Sequence, residues 1–436
     1  MKALQSSKIV CVFCLALFSP VVDAQLTFTT NNGAITITGH SGLVVVLNIP
    51  STINGYPVTS IGSNAFYFCT SLTSVTIPDS VTNIGGWTFA ECTNLTNLTI
   101  PNSVTSIGTY AFAACYSLTS VTIPGGVTSM GDDAFYGCSS LTNLTILDGI
   151  SNIGNWAFAE CTSLAGVTIP NSVTGIGDEA FYLCYSLTNV TIPNSVTSIG
   201  NAAFEQCTAL TGVTLGTNVT SIGDSAFAFC PSLSSVTIGN SVTSIGNGAF
   251  EYCTSLIGVT IPNSVTVFGN GAFFGCSNLT SVTIGNSVTN IGMNAFGDCL
   301  SLTSAYFQGN APNLGSNVFD YDLLVRPPSH HYVWDPVTIY YLPGATGWGT
   351  TFGGRPTALW LPQMQTSGAS FGLRNNQFGF IINWASGKVV VVEACTNLSN
   401  PVWSPVTTNT LTGGSFYFGD PQWSNNPVRF YRVYSQ

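Results

Sequence analysis

Between Lys8 and Arg326 the sequence contains neither lysine nor arginine. Without cations to neutralise phosphates, that part of the chain offers nothing to a nucleic acid. Charge of either sign is scarce: 6% of residues are charged and the net charge is −10. Ser, Thr, Asn and Gly must therefore cover the surface, which suits an extracellular β-rich protein better than a cytosolic enzyme. Histidine is nearly missing too. His40, His330 and His331 are the whole supply, and they leave little for general acid–base catalysis. Long apolar runs are lacking: Ile9 to Phe18 spans ten residues, too few to cross a bilayer. With Lys2 and Lys8 before that run and Val22 and Ala24 behind it, residues 1–24 read as a secretory signal peptide cleaved after Ala24. The mature chain is expected to be secreted or at the cell surface, with no membrane insertion.

What the sequence does have is cysteine at a fixed step. Cys69, Cys92, Cys115, Cys138, Cys161, Cys184, Cys207, Cys230, Cys253, Cys276 and Cys299 follow one another at 23 residues, without an insertion. Phenylalanine keeps the same step from Phe66 to Phe296, and leucine from Leu72 to Leu302. A fixed period of this length is the signature of a repeat array. Within each copy "SVTI" alternates polar and apolar like a half-buried strand. "SVTSIG" offers a second, shorter strand closed by glycine, and "xxAFxxC" places Phe and Cys on one face of a single helical turn. One copy cannot bury its own apolar stripe, so identical coils must stack into a solenoid, about 4.8 Å apart along the strand pairing.

The pattern LxxVxIPxxVxxIGxxAFxxC, read from Ile61 to Phe307, resembles the BspA-like (Treponema-type) leucine-rich repeat of bacterial surface proteins. The lead-in "IPSTINGYPVTSIGSNAF" resembles that family's first turn. The resemblance implies a leucine-rich-repeat horseshoe, and extracellular binding or adhesion without a stated ligand. Ser80 stands where the common leucine-rich repeat has its ladder asparagine, so the polar ladder must lie elsewhere.

Around the array at 61–307, residues 25–60 are expected to form an N-terminal β cap. Residues 308–362 hold a degenerate repeat and a C-terminal cap, broken by "DYDLLVRPPSHHYVWDP". Residues 363–436 read as a small all-β sandwich, from short apolar runs such as "QFGFIINWA" and "KVVVVEACTNL".

Each chemical signal has a bland reading beside it. "GASFG" at Gly368–Gly372 has nucleophile-elbow spacing, but no helix pattern or histidine follows, so it reads as a Gly/Ser turn. His330 and His331, with Asp320, Asp322 and Asp335, lack metal-ligand spacing and read as a solvated loop. The column Asp132, Asn155, Asp178, Asn201, Asp224 and Asn247 is readable as a calcium stripe. Its place after the turn glycine favours a ladder of helix N-caps. Threonine at every outward strand position from Thr76 to Thr283 is readable as an ice-binding face, or simply as exposed strand residues. The cysteine column is readable as a disulfide framework, but parallel stacked side chains favour a reduced, buried core ladder.

Copies differ most in the two residues before "AF" and the two after. Tyr67, Trp87, Tyr110, Tyr136, Trp156, Tyr182 and Tyr252 fall there, and residues of these types dominate interface hot spots. The sequence thus points to a non-enzymatic binding or adhesion protein that needs no cofactor or metal. Its partner would be an extracellular protein, or a glycan stacking on Trp and Tyr. A secreted hydrolase is the remote alternative.

Overall fold

The structure is a computed structural model of the 436-residue chain, and it describes residues 25–320, 337–374, 377–425 and 428–435. The leader at 1–24, His330, His331, Asp322 and Asp335 lie outside the described residues.

Two ribbons of short parallel strands run the length of the array. The longer strands carry the "SVTI" segments, as where Ser120–Ile123 pairs with Asn143–Ile146, Val121 opposite Leu144. The two-residue strands carry "SI", as where Ser198–Ile199 pairs with Ser221–Ile222. Alternation decides which side chains go inward: Val190 and Ile192 are buried while Thr191 is exposed. Each inward residue meets its counterpart one coil away, so the core is a set of columns. The phenylalanine column is the clearest, with rings stacked 5.1 to 5.8 Å apart from Phe66 to Phe319.

Hydroxyls do the work that charge does not. Thr105 Oγ1 donates to the Thr82 carbonyl at 3.1 Å, Thr197 to Thr174 at 3.2 Å, and Thr243 to Thr220 at 3.1 Å. Each bond ties a coil to the one before it. The glycine after each short strand allows backbones to touch: a Cβ on Gly200 would lie 2.5 Å from the Gly177 carbonyl carbon.

The helical turn expected at "xxAFxxC" does not form. Among the described residues the helical element is a single 3-10 turn at Trp423–Asn425, outside the array. In each coil the residue before "AF" and the residue before Cys have positive φ, as at Trp87 (59°) and Glu91 (58°), which breaks a right-handed helix. Backbone N–H groups there alternate in direction. Those of Trp87, Phe89 and Glu91 donate to Thr109, Ala111 and Ala113 of the next coil, while Ala90 and Cys92 close tight turns onto Trp87 and Phe89.

With no helix to cap, the Asp/Asn column has a different task from the one expected. Asp132 Oδ1 accepts the Asn155 N–H at 2.9 Å, Asn155 that of Asp178 at 2.8 Å, and Asp178 that of Asn201 at 2.7 Å. Asn201 and Asp224 continue the ladder to Asp224 and Asn247, and Asn247 carries it to Asn270. The carbonyl-type oxygen is the required feature, which is why Asp and Asn interchange.

At the N-terminal end, Gln25–Asn31 and Ala34–Ser41 form an antiparallel hairpin, and the second of these strands pairs in parallel with Tyr56–Ile61. At the other end, Thr338–Tyr341 resumes the ladder on Ser304–Phe307, and Trp348 and Phe352 pack on Phe307. Two antiparallel sheets then enclose a second core of Phe380, Ile382, Trp384, Val390, Val392 and Phe418. Trp384 Nε1 donates to the Trp360 carbonyl at 2.8 Å, tying this sandwich to the array.

Candidate recognition edge

Within the array the positive-φ positions form two columns, and these are two of the four positions that vary among copies. One holds Asn64, Trp87, Tyr110, Asp133, Trp156, Glu179, Ala202, Ser225, Gly248, Gly271 and Asn294. The other holds Phe68, Glu91, Ala114, Gly137, Glu160, Leu183, Gln206, Phe229, Tyr252, Gly275 and Asp298. Glycine takes this conformation freely, whereas a residue with a Cβ pays about 1–2 kcal/mol. Gly248 and Gly271 in one column, and Gly137 and Gly275 in the other, establish that the coil closes without a side chain there.

Stacking the coils gathers the aromatic residues into three groups. Trp87 lies on Tyr110, centroids 4.2 Å apart, with Tyr67 edge-on to Trp87 at 6.0 Å and Phe68 beside Tyr67 at 6.3 Å. Trp156 is flanked edge-on by Tyr136 at 6.2 Å and Tyr182 at 5.6 Å. Tyr252 stacks on Phe229 at 5.1 Å and meets Phe274 edge-on at 5.6 Å. All seven tyrosines and tryptophans singled out in the sequence thus lie on one edge. Phe68, Phe229 and Phe274 were missed there, although they occupy the same variable positions.

Carboxylates interleave with the rings. Tyr67 Oη donates to Glu91 at 3.0 Å, and Tyr136 Oη to Glu160 at 2.5 Å. Burial, with the charges of Glu205, Asp178 and Asp133 nearby, raises the Glu179 carboxyl above its ordinary range. Burial likewise raises Asp133, Glu205 and Glu251. With no lysine or arginine between Lys8 and Arg326, no such side chain of the array compensates this field.

Other surfaces were also sequence candidates. The threonine column is exposed in register, Thr168 opposite Thr191 and Thr191 opposite Thr214. It lines a cleft of about 700 Å³ that includes Thr237, Thr260, Thr283, Asn240, Asn263 and Ser386. "GASFG" leads into the strand Gly372–Arg374, so Ser370 lacks the helix of a nucleophile elbow. Among the described residues no group of three or more His, Cys, Asp or Glu is placed to hold a metal, and no helix is long and apolar enough to cross a membrane.

The twelve described cysteines are free and buried. In the ladder each thiol from Cys92 onward donates to the phenylalanine carbonyl of the preceding coil, as Cys184 Sγ does to Phe158 O at 3.3 Å. The thiol is therefore a hydrogen-bond donor as well as a small apolar group.

The profile described as BspA type Leucine rich repeat region (6 copies) matches residues 47–148, 128–257 and 243–325. A leucine rich cell surface protein from Faecalibacterium prausnitzii is 31% identical over 66% of this chain and 94% of its own, with a TM-score of 0.45. A leucine-rich repeat protein from Bacteroides ovatus is 29% identical over 66% of this chain and 94% of its own, with a TM-score of 0.37. The pneumococcal vaccine antigen PcpA is 19% identical over 74% and 93%, with a TM-score of 0.45. No curated protein matches the chain.

Proposed function

The chain belongs to the BspA-type leucine-rich-repeat family, and from that premise we propose that it is an exported bacterial, non-enzymatic recognition protein whose aromatic and acidic edge binds an extracellular protein. Export rests on the leader read at residues 1–24. The observation that carries the binding reading is strain. A coil that only had to turn would carry Gly or Asn at both positive-φ columns, as it does at Gly137, Gly248, Gly271 and Asn294. Instead Phe68, Trp87, Tyr110, Trp156, Phe229 and Tyr252 hold that conformation, and Phe68 is 60% exposed. Side chains kept at strained positions and turned to solvent are the expected mark of a functional surface. Trp and Tyr add large contact area with few rotatable bonds, and uncompensated carboxylates select a partner that offers positive charge.

A second reading, glycan binding, is favoured by the polar cleft along Thr237, Thr260 and Thr283 and by the exposed rings. A pull-down against extracellular proteins, run beside a glycan array, separates the two. The protein reading expects a retained protein that Trp87→Ala with Trp156→Ala releases. Glycan binding lost in the same variant replaces that reading, and absence of any retained partner defeats both.

A further inference from the structure

The first cysteine of the ladder differs from all the others. Cys92 Sγ donates to Phe66 O, Cys115 to Phe89 O, and so on up the column. Cys69 has no earlier phenylalanine below it. In place of that carbonyl, His40 Nε2 lies 2.9 Å from Cys69 Sγ. His40 also closes the ring column, stacked on Phe66 at 5.5 Å and 9°. Its Nδ1 is 3.1 Å from the Gly42 carbonyl oxygen. A carbonyl only accepts, so Nδ1 carries hydrogen and the Nε2 lone pair faces the thiol.

A nucleophile, a base within hydrogen-bond reach and a third group orienting that base form the arrangement that activates a thiol. Access also differs: Cys69 is 8% exposed, against 0% for Cys92 through Cys276. We propose that the Cys69–His40 pair is a modification site, at which the thiol exchanges with small extracellular disulfides. His40 Nε2 takes the thiol proton, and Cys69 Sγ attacks one sulfur of R–S–S–R. The new Sγ–S bond forms as the old S–S bond breaks, and the departing R–S⁻ takes up the proton. The products are a mixed disulfide on Cys69 and one R–SH: the Cys69 sulfur is oxidised, the departing sulfur is reduced, and R–S–S–R is the oxidant.

The titratable groups facing Cys69 are Cys92 and His40. With the one hydrogen of the Cys92 thiol given to Phe66 O, it is the adjacent imidazole that favours the Cys69 thiolate, against the upward push of burial. Burial holds Cys115, by contrast, well above the ordinary thiol range. Cys69 is therefore the ladder thiol with a base beside it.

The test is reaction of the native mature chain with dithiodipyridine from about pH 5 to pH 9, followed by peptide mapping. One fast thiol per chain is expected, on the Cys69 peptide, with its inflection below the ordinary thiol value of about 8.5. Cys69→Ala removes the fast phase. His40→Phe keeps a ring on Phe66 but removes the base, and slows the reaction at pH 6 by at least about tenfold. A chain with no fast thiol, a fast phase mapped to another cysteine, or a His40→Phe profile matching the parent overturns the proposal.

Discussion

Gly137 and Ala114 occupy the same column in adjacent coils, at φ of 70° and 54°, and exchanging their residue types measures the strain on which the recognition edge rests. A Cβ added at Gly137 would meet nothing closer than 3.8 Å, the nearest atoms being the Ala114 Cα and N. Gly137→Ala therefore introduces no clash, and its effect is conformational. Left-handed φ costs alanine about 1–2 kcal/mol, while loss of unfolded-chain freedom returns about 0.4–1 kcal/mol. The net expectation is destabilisation of about 1 kcal/mol, the Gly137 N–H bond to Ala159 O being retained. Ala114→Gly reverses both contributions and is expected to stabilise by up to about 1 kcal/mol. Urea denaturation followed by far-ultraviolet circular dichroism reads both as midpoint shifts at unchanged slope. If Gly137→Ala stabilises the protein, or Ala114→Gly destabilises it by a similar amount, the columns are not strained and the argument from Trp87, Trp156 and Phe229 fails.

Phe181 is fully buried between Phe158 and Phe204, at 5.5 and 5.2 Å, so Phe181→Ala leaves a cavity in mid-column. A loss of about 3–5 kcal/mol is expected in the same denaturation assay. Asp133, Glu179, Glu205 and Glu251 have carboxyls raised above their unfolded values, so the folded state binds protons more tightly. Their contribution is fully present below the unfolded value of about 4 and is lost as pH rises through the raised folded values. Calorimetry should accordingly give a higher Tm near pH 5 than at pH 7; a fall would contradict the acidic-edge account. Titration of denatured, unreduced protein lacking residues 1–24 should find the twelve free thiols of Cys69 through Cys299 and Cys395. Two or fewer would mean that the ladder is stapled.

The period and the core were legible because each column repeats one residue type, and Phe, Cys and Leu at a step of 23 leave one way to stack. The strands followed from "SVTI" for the same reason. The closing turn was misjudged as helical because "AFxxC" has helical spacing, and the residue types beside it speak against positive φ. Trp87, Glu91 and Leu183 are poor left-handed residues on any propensity scale. A signal was nonetheless present, since the same columns hold Gly137, Gly248, Gly271 and Asn294. Reading each column for its most permissive member would have exposed the backbone, and with it Phe68 and Phe229; Phe274 stands in the neighbouring variable column, with Tyr67, Tyr136 and Tyr182. The Asp/Asn ladder was assigned the right atoms but the wrong donors, because capping and coil-to-coil bonding both need an oxygen after the turn glycine. The contact between His40 and Cys69 spans 29 residues outside the period, and no pattern in the array announces it.

The most direct test of the recognition edge replaces Trp87, Trp156 and Tyr252 together by glycine, the residue that Gly248, Gly271 and Gly275 already carry in those columns. Retention of an extracellular partner is then compared with the parent chain and with a variant carrying Thr168→Ser, Thr191→Ser and Thr214→Ser on the strand face. The account predicts a folded triple-glycine variant, with the parent's circular dichroism, that no longer retains the partner, while the strand-face variant still does. Undiminished retention by the triple-glycine variant would contradict it.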